Sequence, residues 1–329
     1  MLKKEYGGFN TFSSNFEFNG VAIFNKYEYP LNLARHALQI LIKCRSITHI
    51  LAPFYTCHSI HKTLKDANIE ISYYHIDRDF TPLLTDADVE NSQALLINNY
   101  FGISGEVIDN LVQKYGSKII VDNSQSYYSR HSEEIDHFNS PRKFFGVTDG
   151  GVLTTTRDIS DLYSYLEFDK SADRINNLFA SDESSMNDCY DNYLNYRNNL
   201  QSLSMMRMSK STENILKLVD FDFCKQARRR NFEKMHKNLA RYNKLNISMR
   251  DSDVPMLYPF LYLNLSLKKK LIENNIYIGS YWPLSNYADS STEIEDGLRE
   301  NLCCLPIDQT LTDRDIEFIC SIVINFIDN

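Results

Sequence analysis

Lys118-Ile119-Ile120-Val121-Asp122-Asn123-Ser124-Gln125 is the stretch on which the fold turns. β-branched residues favour extended backbone. An apolar run this short, ended by polar residues, reads as a strand covered on both faces. Similar runs occur at Ile47–Ala52 (stopped by Pro53), Glu70–His75 and Ala94–Asn98. Helical periodicity fills the intervals at Asn32–Cys44, Thr56–Asn68 and Glu106–Tyr115. The alternation predicts an α/β fold with a mixed, mostly parallel sheet and helices on both faces. Ligands of such sheets sit beyond the carboxyl ends of the strands. That rule places Asp122 and Gln125 in the region where chemistry is expected.

Beyond Asp158 the pattern changes. Thr212–Leu245 reads as long helix, Pro255–Leu265 and Ile276–Ile278 as strands, and Leu267–Asn274 and Asp313–Phe326 as helices. A small α+β C-terminal domain is expected, with residues 1–219 as the large domain and 220–329 as the small one. At 329 residues and 43% hydrophobic, the chain is large enough for two cores. The formal net charge of -8 is spread along the chain, which disfavours nucleic acid as a partner. Arg228-Arg229-Arg230 and Lys268-Lys269-Lys270 fit solvated helix faces. Seven cysteines without a CxxC pair argue against a disulfide framework or structural zinc and predict a reduced, cytoplasmic protein. Met1–Tyr6 lacks the apolar run of a signal peptide, and nothing is apolar enough to span a membrane. No metal site is expected. His58 and His61 lie on successive turns of one helix, but no carboxylate is placed to join them.

Three features bear on chemistry. A carboxylate ending an apolar strand, Asp122, is costly unless it finds a partner, and a protonated pyridine nitrogen is one. Its ordinary reading is an Asp that caps the following turn. Ser140-Pro141-Arg142-Lys143-Phe144-Phe145-Gly146 sets a lysine beside aromatic residues. In a dry pocket desolvation would free its amine for covalent chemistry; its ordinary reading is an exposed loop lysine. Gly150-Gly151, ahead of Val152-Leu153, permits close backbone approach, or is simply a turn.

In this order, Asp122, Gln125, Ser140, Lys143 and Gly150-Gly151 resemble the DegT/StrS-like sugar aminotransferases, whose fold is that of aspartate aminotransferase, a pyridoxal-phosphate (PLP) transferase. The resemblance runs from about Leu31 to the C-terminus. It includes Ala34-Arg35 at the helix under the phosphate, Pro53-Phe54-Tyr55-Thr56-Cys57 over the cofactor ring, and Asn99-Tyr100-Phe101-Gly102. It also includes Arg207-Met208-Ser209, Arg228-Arg229-Arg230-Asn231 and Cys304-Leu305-Pro306.

The resemblance implies that Lys143 carries pyridoxal 5'-phosphate and that Asp122 pairs with the ring nitrogen. Gln125 would lie near the ring hydroxyl, and Ser140 with the Ala34-Arg35 backbone would meet the phosphate. Tyr55 and Cys57 would lie at the ring. The implied reaction moves an amino group, from glutamate, to a keto sugar on a nucleotide, within a homodimer. It would feed polysaccharide or natural-product assembly. Two positions depart from the family: Ala34-Arg35 replaces a Gly- or Ser-containing pair, and Met205 replaces an Asn that reaches the partner's phosphate. They keep open a PLP enzyme acting on a non-sugar substrate, and a catalytically degenerate binding or scaffold member.

Overall fold

The computed structural model describes residues 6–7, 24–171, 174–175, 178, 194–196, 198–282 and 291–328. In chain order its strands are β1 (Tyr6–Gly7), β2 (Glu28–Leu31), β3 (His49–Pro53), β4 (Glu70–Ile76), β5 (Pro82–Leu83), β6 (Ala94–Asn98), β7 (Ile119–Asn123), β8 (Asp136–Asn139), β9 (Gly151–Thr154), β10 (Leu257–Leu261), β11 (Ile276–Tyr277) and β12 (Leu302–Pro306). The helices are α1 (Ala34–Cys44), α2 (His58–Asp66), α3 (Asp86–Asn91), α4 (Gly105–Tyr115), α5 (Ser160–Ser164), α6 (Lys210–Leu216), α7 (Phe221–Leu239), α8 (Ser266–Glu273), α9 (Glu293–Asn301) and α10 (Asp313–Ile327).

Eight strands form the main sheet in the order β2-β9-β8-β7-β6-β3-β4-β5. β8, β7, β6, β3 and β4 run parallel; β9 is antiparallel to both neighbours, and β5 to β4. Side chains in the central strands divide strictly between two cores. Leu95, Ile97, Ile119 and Val121 enter one, with Ile108 of α4. Ala94, Leu96 and Ile120 enter the other, with Ala37, Leu38, Ile40 and Leu41 of α1. The period of two along a strand produces this split, and both faces are apolar because both are covered by helices. Each fully buried Leu or Ile contributes about 1.5–3 kcal/mol of transfer free energy.

The C-terminal part builds a second, two-stranded antiparallel sheet from β10 and β12. Around it, Phe232, Met235 and Leu239 of α7 pack with Leu267 and Leu271 of α8 and Ile316, Ile319 and Val323 of α10. β1 pairs in parallel with β11.

Three expectations need correction. Thr212–Leu245 is not one helix: α6 stops at Leu216, and Asp220 caps a new helix by accepting from Phe223 N at 2.8 Å. The strand expected over Pro255–Leu265 spans only Leu257–Leu261, because its partner β12 is five residues long. Arg228 does not lie on a solvated face; it is 1% exposed, inside the molecule, whereas Arg230, Lys269 and Lys270 are exposed. Six cysteines are free thiols; Cys189 lies outside the described residues. Among the described residues no helix is long and apolar enough to cross a membrane, and no group of side chains could hold a metal ion.

Candidate active site

The parallel sheet changes direction between β3 and β6: the chain builds β4 on one side of β3, then returns to lay β6 on the other. Crossovers leave opposite faces at such a point, and a crevice opens at the carboxyl ends. Pairing across the sheet sets Asn98 opposite Asp122, and Asn123 opposite Asn139, so polar residues line this edge.

Asp122 is 7% exposed. Ser124 N donates to its Oδ1 at 2.7 Å, so Asp122 does close its own turn. Burial pushes its pKa up, and the nearby Lys143 charge works against that shift. Lys143 ends a short 3-10 turn, Pro141–Lys143, whose start is set by Pro141. It is half-buried and not an exposed loop lysine. Desolvation pulls its amine below the usual lysine range, while Cys57 and Asp122 oppose the shift and Arg142 reinforces it. The two groups named from sequence therefore feel each other across the crevice, and the amine is biased toward its neutral form.

Gln125 is 4% exposed. Phe101 N donates to its Oε1 at 3.0 Å, while its Nε2 is buried without an acceptor among the described residues. A buried amide donor left unmade is costly, which marks a place where a ligand acceptor would fit.

α1 begins after Leu33 with no side-chain cap and no acidic residue in its first turn. Its free N–H groups and positive dipole end suit an anion. Gly150 and Gly151 hold that terminus in place. Gly150 N donates to Asn32 O at 2.6 Å. A Cβ on Gly151 would stand 2.3 Å from Ala34 N. Gly151 thus lets β9 approach the start of α1 more closely than any residue with a side chain could. Arg35 itself turns its guanidinium away: Nη2 donates to Leu200 O, Gln201 O and Leu203 O at 2.7, 3.1 and 3.3 Å. Only its backbone stays at the helix start. Ser140, 2% exposed, sits one turn from Lys143 and donates weakly to Gly150 O at 3.4 Å.

Tyr55 and Cys57 follow β3 into the crevice. The Tyr55 hydroxyl donates to Tyr281 O, and Tyr100 OH donates to Tyr55 O at 2.7 Å. Its ring lies 5.2 Å from that of Trp282. Cys57 is half-buried at the start of α2, with its Sγ 3.2 Å from Ser59 Oγ. Met205 packs against the α1 core. Asn195 and Asn198 are exposed. Tyr196 OH donates to Thr148 O at 2.7 Å, whereas Tyr190 falls outside the described residues.

Sequence reasoning missed Asn98. Its Nδ2 donates to Thr56 Oγ1 at 2.7 Å, and its Oδ1 is buried without a donor among the described residues. The signal was present: like Asp122, it is a polar residue ending an apolar strand.

No protein-family model matches the sequence, and no curated protein matches it. The fold, however, matches solved structures over nearly its whole length. A DegT DnrJ EryC1 StrS aminotransferase from Brucella abortus covers 91% of this chain and 85% of its own at 16% identity, with a TM-score of 0.65. NtdA from Bacillus subtilis, with bound cofactor PMP, covers 92% of this chain and 74% of its own at 13% identity, with a TM-score of 0.66. A Streptococcus pneumoniae protein described as a sugar aminotransferase, in its PMP form, covers 98% and 94% at 13% identity, with a TM-score of 0.62. The chain has the fold of these aminotransferases.

Proposed function

We propose that the chain is a PLP-dependent aminotransferase of the DegT/StrS type, transferring an amino group from glutamate to a keto sugar carried on a nucleotide. The observation that carries this reading is the desolvated Lys143 amine within electrostatic reach of the buried Asp122 carboxylate at the carboxyl end of β7. The similarity of the fold to sugar aminotransferases supports it.

The residues present fit the cofactor. Gln125 Nε2 is a buried donor in need of an acceptor, as a ring hydroxyl would provide. The uncapped start of α1, with Ser140 beside it, is built for a phosphate. When bound, PLP supplies an electron sink for a carbanion at the donor's α-carbon. Asp122 would hold a proton on the ring nitrogen, and that cation would offset the cost of burying the carboxylate. Lys143 would hold the cofactor aldehyde and, once displaced by the donor's amine, would accept the α-carbon proton on Nζ and deliver it to the carbon that bore the aldehyde. Desolvation lowers the pKa of that amine, which favours the neutral form that a proton acceptor needs. Tyr55 and Cys57 would shield the ring from water. We further read residues 1–219 and 220–329 as the two domains, and the working form as a cytoplasmic homodimer.

The purified chain should develop a visible absorbance band on adding PLP, and Lys143→Ala should abolish it. With glutamate as donor, a panel of nucleotide keto sugars should give turnover on at least one. A chain that ignores PLP sinks the enzyme reading; a band without turnover on any sugar moves the substrate elsewhere.

A further inference from the structure

The turn that carries Lys143 is gripped from the C-terminal part of the chain. Arg228 of α7 is buried with no carboxylate within hydrogen-bond reach among the described residues; the charge of Asp308 acts only at longer range. Its Nη2 donates to Phe144 O at 3.2 Å, its Nη1 to Met256 O at 2.9 Å and its Nε to Gln309 Oε1 at 2.9 Å. Its guanidinium lies over the Phe144 ring, 4.8 Å from the centroid. Gln309 Nε2 donates to the same Phe144 O at 2.9 Å. One backbone carbonyl, belonging to the residue after Lys143, thus accepts two buried side-chain donors. From within, the turn is closed by Lys143 N donating to Ser140 O and Phe144 N to Pro141 O, at 3.0 and 2.9 Å.

A buried guanidinium without an ion pair is expensive. Here its donors go to a carbonyl of the lysine turn, a carbonyl before β10 and an amide after β12. We propose that Arg228 and Gln309 are positioning residues: through the Phe144 carbonyl they set how deeply Lys143 sits beside Asp122. The inference deepens the function proposed above and rests on it for its meaning in catalysis. The groups whose charge reaches Lys143 are Asp122 at the end of β7, Cys57 at the start of α2 and Arg142 in its own turn. Arg228 is not one of them, so it acts by holding the backbone. If the turn loosens, water reaches the amine and its pKa rises toward the ordinary lysine value of about 10.4.

The test uses the whole chain freed of cofactor. An amine-directed acylating reagent is applied across pH, and labelling of Lys143 is followed by peptide mass spectrometry. Lys62, exposed on α2, serves as internal reference. In Gln309→Met and Arg228→Met, the Lys143 midpoint should move up by about one pH unit, a tenfold drop in neutral amine at pH values below both midpoints, with Lys62 unchanged. Thermal unfolding of each variant establishes that it folds, and if Arg228→Met does not, Gln309→Met decides. A folded Gln309→Met chain whose Lys143 titrates as in the parent overturns the inference. A parent chain that never develops the PLP absorbance band, yet shows the midpoint shift, sinks the proposed function and leaves the positioning intact.

Discussion

Gly151→Ala tests the proposed anion cradle at the start of α1. The added methyl would lie 2.3 Å from Ala34 N, 2.4 Å from Leu33 C and 2.6 Å from Ala34 Cα. All three are backbone atoms and cannot rotate aside. Reaching an ordinary contact of about 3.4 Å requires the start of α1 to retreat by roughly 1 Å in a close-packed interior. β9 cannot yield instead, because Gly151 pairs with Leu31 in β2 and β9 pairs with β8 on its other side. Overpacking of this kind costs about 1–3 kcal/mol of stability. If the start of α1 binds the cofactor phosphate as proposed, the retreat would also withdraw its first-turn N–H groups from that phosphate. Hydrogen bonds to a charged group contribute about 1.5–3 kcal/mol. Losing one should therefore weaken PLP binding roughly ten- to hundredfold. Absorbance titration of the cofactor-free chain with PLP, and in parallel with pyridoxal, which has no phosphate, isolates the effect. PLP affinity should fall and pyridoxal affinity should hold. Equal losses for both, or none for either, would refute the argument that Gly151 seats a phosphate cradle.

Two further outcomes follow from buried groups. Gln125→Leu strands Phe101 N, so denaturant unfolding should show a loss of about 1–3 kcal/mol, together with weaker PLP binding; unchanged PLP affinity would remove Gln125 from the site. Burial holds His36, His61 and His137 at about 4, below the ordinary 6.5. Below pH 6.5 the unfolded chain takes up protons that the folded chain refuses, so stability present at neutral pH is lost as pH falls toward about 4. Each histidine contributes up to about 1.4 kcal/mol per pH unit in that window. Unfolding free energies at pH 7 and pH 5 check this; a flat profile, or a slope that His137→Gln leaves untouched, would count against it.

The main sheet was legible because its central strands are apolar on both faces. Ile119–Val121 and Ala94–Ile97 satisfy no other element of that length, and the expected strand ends fall within two residues of those observed. The C-terminal part was harder to read. A helix-spaced pattern continues across residues 217–220, and only the Asp220 cap reveals the break. Arg228 was misjudged because charge in a helix usually means solvent; its burial depends on acceptors at Phe144, Met256 and Gln309, far away in sequence.

By itself the sequence determined which residues could do chemistry: an acid and an amide ending a strand, a lysine among aromatics, and a glycine pair. These are local properties of residue type and pattern. The tertiary structure alone decided what they meet. It put Gly151 under the start of α1, turned the Arg35 guanidinium away from that start to the carbonyls at 200–203, and left Gln125 Nε2 without an acceptor among the described residues. The physical reason is that desolvation and steric approach are set by atoms brought together from distant segments, and no local pattern encodes them.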